Sequence, residues 1–140
     1  MKLKRNQRGF TLLEIIIVII IVGVLASLAL PRFFRTVEYS RGTEALTNIN
    51  AIRQSMERCY LQRNAYTGCT AFGNLDLEDP TGSPNQHFTY GMTAPTSTTY
   101  TITATRNTRD NSGPAGDTVV LTNNGSTITR SGTGAFSGIQ

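Results

Sequence analysis

Tryptophan is absent from the 140 residues, histidine occurs once (His87) and cysteine twice (Cys59 and Cys69). So little imidazole and thiol leaves almost nothing from which to build a transition-metal site or a nucleophile–base pair. Acids are also few, nine against thirteen bases, yet charged residues make up 16% and apolar residues 39% of the chain. That balance excludes a disordered polyelectrolyte, which has few apolar residues and a high net charge. Nor is there a basic excess where a nucleic acid would need one. Lys2, Lys4, Arg5 and Arg8 account for the whole formal charge of +4, and the remaining nine bases and nine acids cancel. The length suits one domain.

What the chain has in quantity is an unbroken apolar run, FTLLEIIIVIIIVGVLASLAL over residues 10–30, in which only Thr11, Glu14 and Ser27 are polar. A helix of about 21 residues spans roughly 30 Å, the hydrocarbon thickness of a bilayer. Four cations precede it; Arg32 and Arg35 follow, partly offset by Glu38. This bias leaves the N-terminus in the cytoplasm and sends the remainder outside. A secretory signal with Ser27-Leu28-Ala29 as its cleavage site and a plain membrane anchor both explain the run. Neither explains Glu14. A carboxylate at the centre of a membrane helix costs about 2.5–3.5 kcal/mol. Glu14 therefore either snorkels to the cytoplasmic interface or meets a cationic partner inside the apolar layer.

The string Arg8-Gly9-Phe10-Thr11-Leu12-Leu13-Glu14, set between a basic leader and an apolar run ending at Pro31, resembles the processing site of class III prepilins. These are the precursors of type IV pilins and type II secretion pseudopilins. The resemblance covers Lys2 to about Arg63 well and the C-terminal half in outline. It implies that residues 1–9 are a cleaved basic leader, that a prepilin peptidase cuts between Gly9 and Phe10, and that Phe10 becomes the N-methylated first residue. Glycine suits a backbone that a peptidase must approach closely. The resemblance further implies that Glu14 sets the assembly register by neutralising the Phe10 ammonium of an adjacent subunit. In any other stagger both charges stay buried and unpaired, which is costly. It also implies that the stretch from Gly23 to Pro31 melts into extended chain in filaments. By their own chemistry Pro31 kinks a helix and Gly23 weakens it, while Phe33 and Phe34 suit a membrane exit.

From Thr43 to Arg63, apolar residues recur at Ala45, Ile49, Ile52, Met56 and Cys59, with Leu46 and Tyr60 beside them, a helical stripe. One helix is thus expected from Phe10 to about Arg63, with residues 10–30 as a transmembrane and assembly segment and 31–63 as an amphipathic half; Gly42 either bends it or is tolerated. Cys59 and Cys69, exported to an oxidising compartment, are expected to pair. Residues 64–87 contain Gly68, Gly73, Asp79-Pro80, Gly82 and Pro84 and read as a loop. Alternation then takes over at Phe88–Met92, Tyr100–Thr105, Thr118–Thr122 and Ser126–Thr129, the last two flanking Asn123-Asn124-Gly125, a hairpin signal. Residues 88–140 are accordingly an antiparallel β-sheet head of about four strands, apolar toward the helix and threonine-rich toward solvent. The expected class is α+β, a type IV pilin fold with a long helix, its hydrophobic half protruding, packed on a small sheet.

No catalytic residue, metal site or cofactor is expected. Asp76, Glu78 and Asp79 carry oxygens suited to calcium, but a charged loop explains them more simply. Asp79-Pro80-Thr81-Gly82-Ser83-Pro84 is similar to a stretch of major pseudopilins, without its tryptophan. His87 reads as a surface loop residue. The resemblance implies a homo-oligomeric helical filament, an inner-membrane precursor with a cytoplasmic N-terminus and periplasmic head, an extracellular location after assembly, and as partners prepilin peptidase and the assembly machinery of platform protein, ATPase and secretin. A periplasmic pseudopilus is the alternative. Nucleic acid is disfavoured as a partner, because residues 64–140 hold three bases against five acids and phosphate binding needs clustered cations.

Overall fold

A computed structural model describes residues 9–83, 86–108 and 115–139. The leader residues Lys2, Lys4, Arg5 and Arg8 lie outside the described residues, as do Pro84 and Arg109. The chain divides into two compact units, Met1–Arg35 and Thr36–Gln140.

Helix α1 runs over Leu12–Arg63, 52 residues, and continues through Pro31. Its start is set by Thr11, whose Oγ1 accepts the Glu14 amide at 3.3 Å. Thr11 is thereby an N-cap that satisfies one of the amides a helix start leaves free. In the first unit almost every side chain of the apolar run is exposed, from Leu12 at 77% to Leu30 at 50%. Phe33 and Phe34 are exposed as well, edge to face with ring centroids 6.1 Å apart.

In the second unit the stripe behaves as its spacing dictates. Ala45, Ile49, Ile52 and Met56 are fully buried and Cys59 nearly so. They pack against a four-stranded antiparallel meander in the order β1 (Phe88–Thr93), β2 (Tyr100–Arg106), β3 (Thr118–Asn123), β4 (Ile128–Gly132). Phe88, Tyr90, Tyr100, Ile102, Ala104, Val119 and Leu121 supply the inner face. The register sets Thr89 beside Thr105 and Thr105 beside Thr118, and likewise Thr93, Thr101, Thr122 and Thr129, so hydroxyls line the outer face.

Two parts of the head differ from the sequence reading. The last strand begins at Ile128, not Ser126, because the Asn124 side chain accepts the Ser126 and Thr127 amides (3.1 and 2.8 Å) and makes those residues a turn; such Asx bonding competes with strand pairing. Strand β4 also buries no apolar side chain, and its Ile128 is 45% exposed. The missing cover comes from the C-terminal tail. There a 3-10 turn at Gly134–Phe136 places Phe136 and Ile139 in the core, with Phe136 5.4 Å from Phe88 between ring centroids. This explains Gly42: a Cβ there would lie 2.7 Å from Ile139 Cδ1. Its role is close packing of the tail on the helix. Gly134 turns the tail with φ +55°, and a Cβ there would strike the Asp117 carboxylate.

Candidate functional site

The N-terminal residues form the first candidate site. Phe10 is 78% exposed, and Glu14 follows one helical turn later. Among the described residues no hydrogen bond or ion pair engages the Glu14 carboxylate. It lies in the first turn of α1, where the helix dipole favours a negative charge. The Thr11-Leu12-Leu13-Glu14 spacing also fits a capping box, of which the Glu14 amide to Thr11 Oγ1 bond is formed. Within the run, Ser27 Oγ donates to the Val24 carbonyl at 2.7 Å, while Pro31 deprives the Ser27 carbonyl of its helical donor. Gly23 sits in the helix with open space beside it.

The head contains a polar centre that the sequence did not announce. Arg106, with its side chain fully buried, reaches Glu38 through Nε (3.0 Å to Oε2) and Nη2 (3.3 Å to Oε1). Arg106 Nη1 donates to the carbonyls of His87 (3.2 Å) and Asn107 (2.6 Å). Arg41 closes on Glu38 from the same helix. The two-pronged geometry is what a guanidinium offers a carboxylate. Beside it, Glu44 accepts the His87 backbone amide at 3.2 Å and contacts His87 Nδ1 at 2.6 Å. His87 is thus a clasp between β1 and the helix, in place of the expected surface loop residue.

A second network surrounds the helix end. Glu57 accepts both tyrosine hydroxyls, Tyr66 at 2.7 Å and Tyr100 at 3.1 Å. Burial first, and the Glu57 carboxylate second, push both phenols well above their usual range. Tyr66 stacks on Tyr60 at 4.5 Å and meets Tyr100 edge-on at 4.6 Å. Cys59 and Cys69 are joined as a disulfide, ten residues apart, with Cα atoms 6.0 Å apart. It ties the turn carrying Tyr66 to α1. Cys59→Ser with Cys69→Ser is expected to lower stability by about 2–3 kcal/mol in the chain-entropy picture, read as a shifted urea midpoint of the detergent-solubilised full chain.

Two of the three acids in the loop, Asp76 and Asp79, are engaged by the protein's own groups. Asp76 accepts from Ser55 Oγ and from Arg58 (Nε 2.5 Å, Nη2 2.9 Å). Asp79 Oδ1 accepts the Thr81 amide at 2.8 Å. No group of three potential metal ligands occurs among the described residues. The Arg58 and Ser55 hydrogen bonds lower the Asp76 pKa from 3.8 to about 2. A depressed carboxylate stabilises the fold above its unfolded pKa, and this contribution is lost as pH falls through the folded value. Acid titration of the full chain is therefore expected to show a component lost between about pH 4 and pH 2 that Asp76→Asn removes; an unchanged acid profile in the variant would contradict it.

The family model described as "Type IV minor pilin ComP, DNA uptake sequence receptor" matches residues 31–117, and "Prokaryotic N-terminal methylation motif" matches residues 4–30. The chain is 37% identical over 83 residues to type II secretion system core protein G of Aeromonas hydrophila, covering 58% of this chain and 57% of that protein. It is 36% identical over 62 residues to type IV major pilin protein PilA of Myxococcus xanthus, covering 44% and 28%. Type IV major fimbrial protein FimA of Dichelobacter nodosus is 30% identical over 84 residues, covering 59% and 52%. The chain thus spans little more than half the length of these relatives at most. No solved structure matches.

Proposed function

This chain belongs to the type IV pilin superfamily, in the family described as type IV minor pilin ComP, DNA uptake sequence receptor, and from that premise we propose that it is a structural subunit of a type IV pilus. In this reading the precursor sits in the inner membrane with its head in the periplasm. Prepilin peptidase cuts between Gly9 and Phe10 and methylates Phe10. A platform protein, an ATPase and a secretin then polymerise the chain through its N-terminal helix into an extracellular filament for attachment, motility or uptake. The chain does this by assembling, not by catalysis. The observation that carries the reading is the exposed helical run Leu12–Leu30, with one carboxylate four positions after Phe10. Such a surface demands an apolar environment, first lipid and then sister helices. Mass spectrometry of the mature chain tests it. A methylated Phe10 terminus supports it; a terminus at Leu30, or an intact leader on assembled material, refutes it.

Two variants of the reading have their own support. The family match favours a minor pilin that captures DNA. Against it, Arg106 is buried in an ion pair, which removes one of the few head cations from any phosphate contact. Band shifts at increasing salt decide: a receptor loses affinity with a slope of about −0.9 per phosphate neutralised, and a flat response excludes it. The protein G relatives favour a periplasmic pseudopilus. Electron microscopy of sheared cells separates the two, since only a pilus yields long surface filaments.

A further inference from the structure

The two edges of the head's sheet carry opposite charge. On one edge, β4 presents exposed Arg130, whose Nη2 lies 3.5 Å from Asn50 Oδ1 on α1. One helical turn along from Asn50 stands Arg53, whose Nε is buried with no hydrogen-bond partner among the described residues. Residues three apart on a helix are neighbours, so Asn50 brings the two guanidiniums to one seam. Glu57, one further turn along α1, is already engaged by Tyr66 and Tyr100. At the opposite edge, the Pro80–Gly82 turn lies along β1, Thr81 Oγ1 meeting the Tyr90 amide at 3.4 Å. The segment entering that turn holds Asp76, Glu78 and Asp79 and no base. Asp76 is paired with Arg58, but Glu78 is exposed and has no partner among the described residues.

A surface with a cationic patch on one side and an anionic patch on the other fits copies of itself arranged head to tail. Such heterologous contacts generate open helical assemblies, and complementary charge fixes register and suppresses wrong neighbours. We infer that the Arg53–Arg130 seam of one head docks against the Glu78–Asp79 edge of the next copy of this chain. The inference rests on the filament reading and adds the head surfaces that meet. Two arginines are few for a nucleic acid, which is neutralised by many cations at once, and the chain's own acidic edge supplies the matching charge.

The test is filament yield from sheared cells making full-length chain. Arg53→Glu with Arg130→Glu is expected to cut yield by about tenfold or more, since like charges then face each other across every contact. Adding Glu78→Arg to the same chain sets one cation opposite the new glutamates and is expected to recover part of the yield, which also shows that the reversed head folds. Three results overturn the inference: normal yield from the double reversal, no recovery in the triple variant, or intact filaments that have lost only salt-sensitive DNA capture. Filaments absent from the unmodified chain would sink the filament reading itself. Unmodified filaments indifferent to these charges would sink only the interface.

Discussion

Glu14→Gln is expected to abolish filament assembly while leaving the leader cleaved. The proposed register places the Glu14 carboxylate against the α-ammonium of a neighbouring Phe10 inside packed apolar helices. Removing one partner of a buried ion pair strands the other, at about 3–5 kcal/mol. Each subunit meets that cost, so the polymerisation constant falls by roughly two to four orders of magnitude. The choice of glutamine matters because Thr11 caps α1 and Glu14 stands at the capping-box position. Glutamine fills that position as well as glutamate but carries no charge. A simple helix-start role therefore predicts near-normal assembly for Glu14→Gln and a modest loss of about 1 kcal/mol for Glu14→Ala. The register role predicts that both fail. Shear fractions probed for filament, with mass spectrometry of the membrane-retained chain to verify a Phe10 terminus, give the answer. Normal filament yield from Glu14→Gln would end the register argument.

What the sequence disclosed and what it withheld divide along physical lines. The stripe at Ala45, Ile49, Ile52, Met56 and Cys59 is local and periodic, and every member is buried. Strands β1, β2 and β3 announce themselves by alternation, and their inner residues all face the helix. The expectation of an exported head predicted that the cysteines pair, and Cys59 and Cys69 are joined. Contacts that join distant segments carry no such period. Glu38 and Arg106 are 68 residues apart, and Glu38 looked like one more charge flanking a membrane span. His87 and Glu44 are 43 apart. Phe136 and Ile139 stand in a Gly- and Ser-rich tail with no alternation. Only a glycine facing the packed side of the helix, at Gly42, hinted that something must approach there. Strand β4 begins later than its composition predicts, because Ser126 and Thr127 suit a strand while the Asn124 side chain holds them in the turn.

The largest effect on the head's stability is expected from Arg106→Ala. Arg106 joins the first strand pair to the helix through Glu38 and also satisfies two carbonyls, of His87 and Asn107. Truncation leaves a nearly buried carboxylate with Arg41 as its remaining cation, and it orphans those acceptors. Breaking a buried pair in this way costs about 3–5 kcal/mol, a large part of the 5–15 kcal/mol that typically holds a domain together. Because the pair is shielded from solvent, 1 M salt should reproduce almost none of the loss, in contrast to surface pairs. Arg106→Lys should recover little, since a point charge cannot bridge both carboxylate oxygens and the carbonyls together. Replacing both partners, Glu38→Leu with Arg106→Met, removes the stranded charge and should recover much of the stability, though not that owed to the two carbonyls. Urea unfolding of the detergent-solubilised full chain, followed by tyrosine fluorescence, measures all three variants beside the unmodified chain. If Arg106→Ala unfolds at the same urea concentration as the unmodified chain, or if the apolar double variant is the least stable of the set, then Glu38 and Arg106 are not the pair that holds helix to sheet.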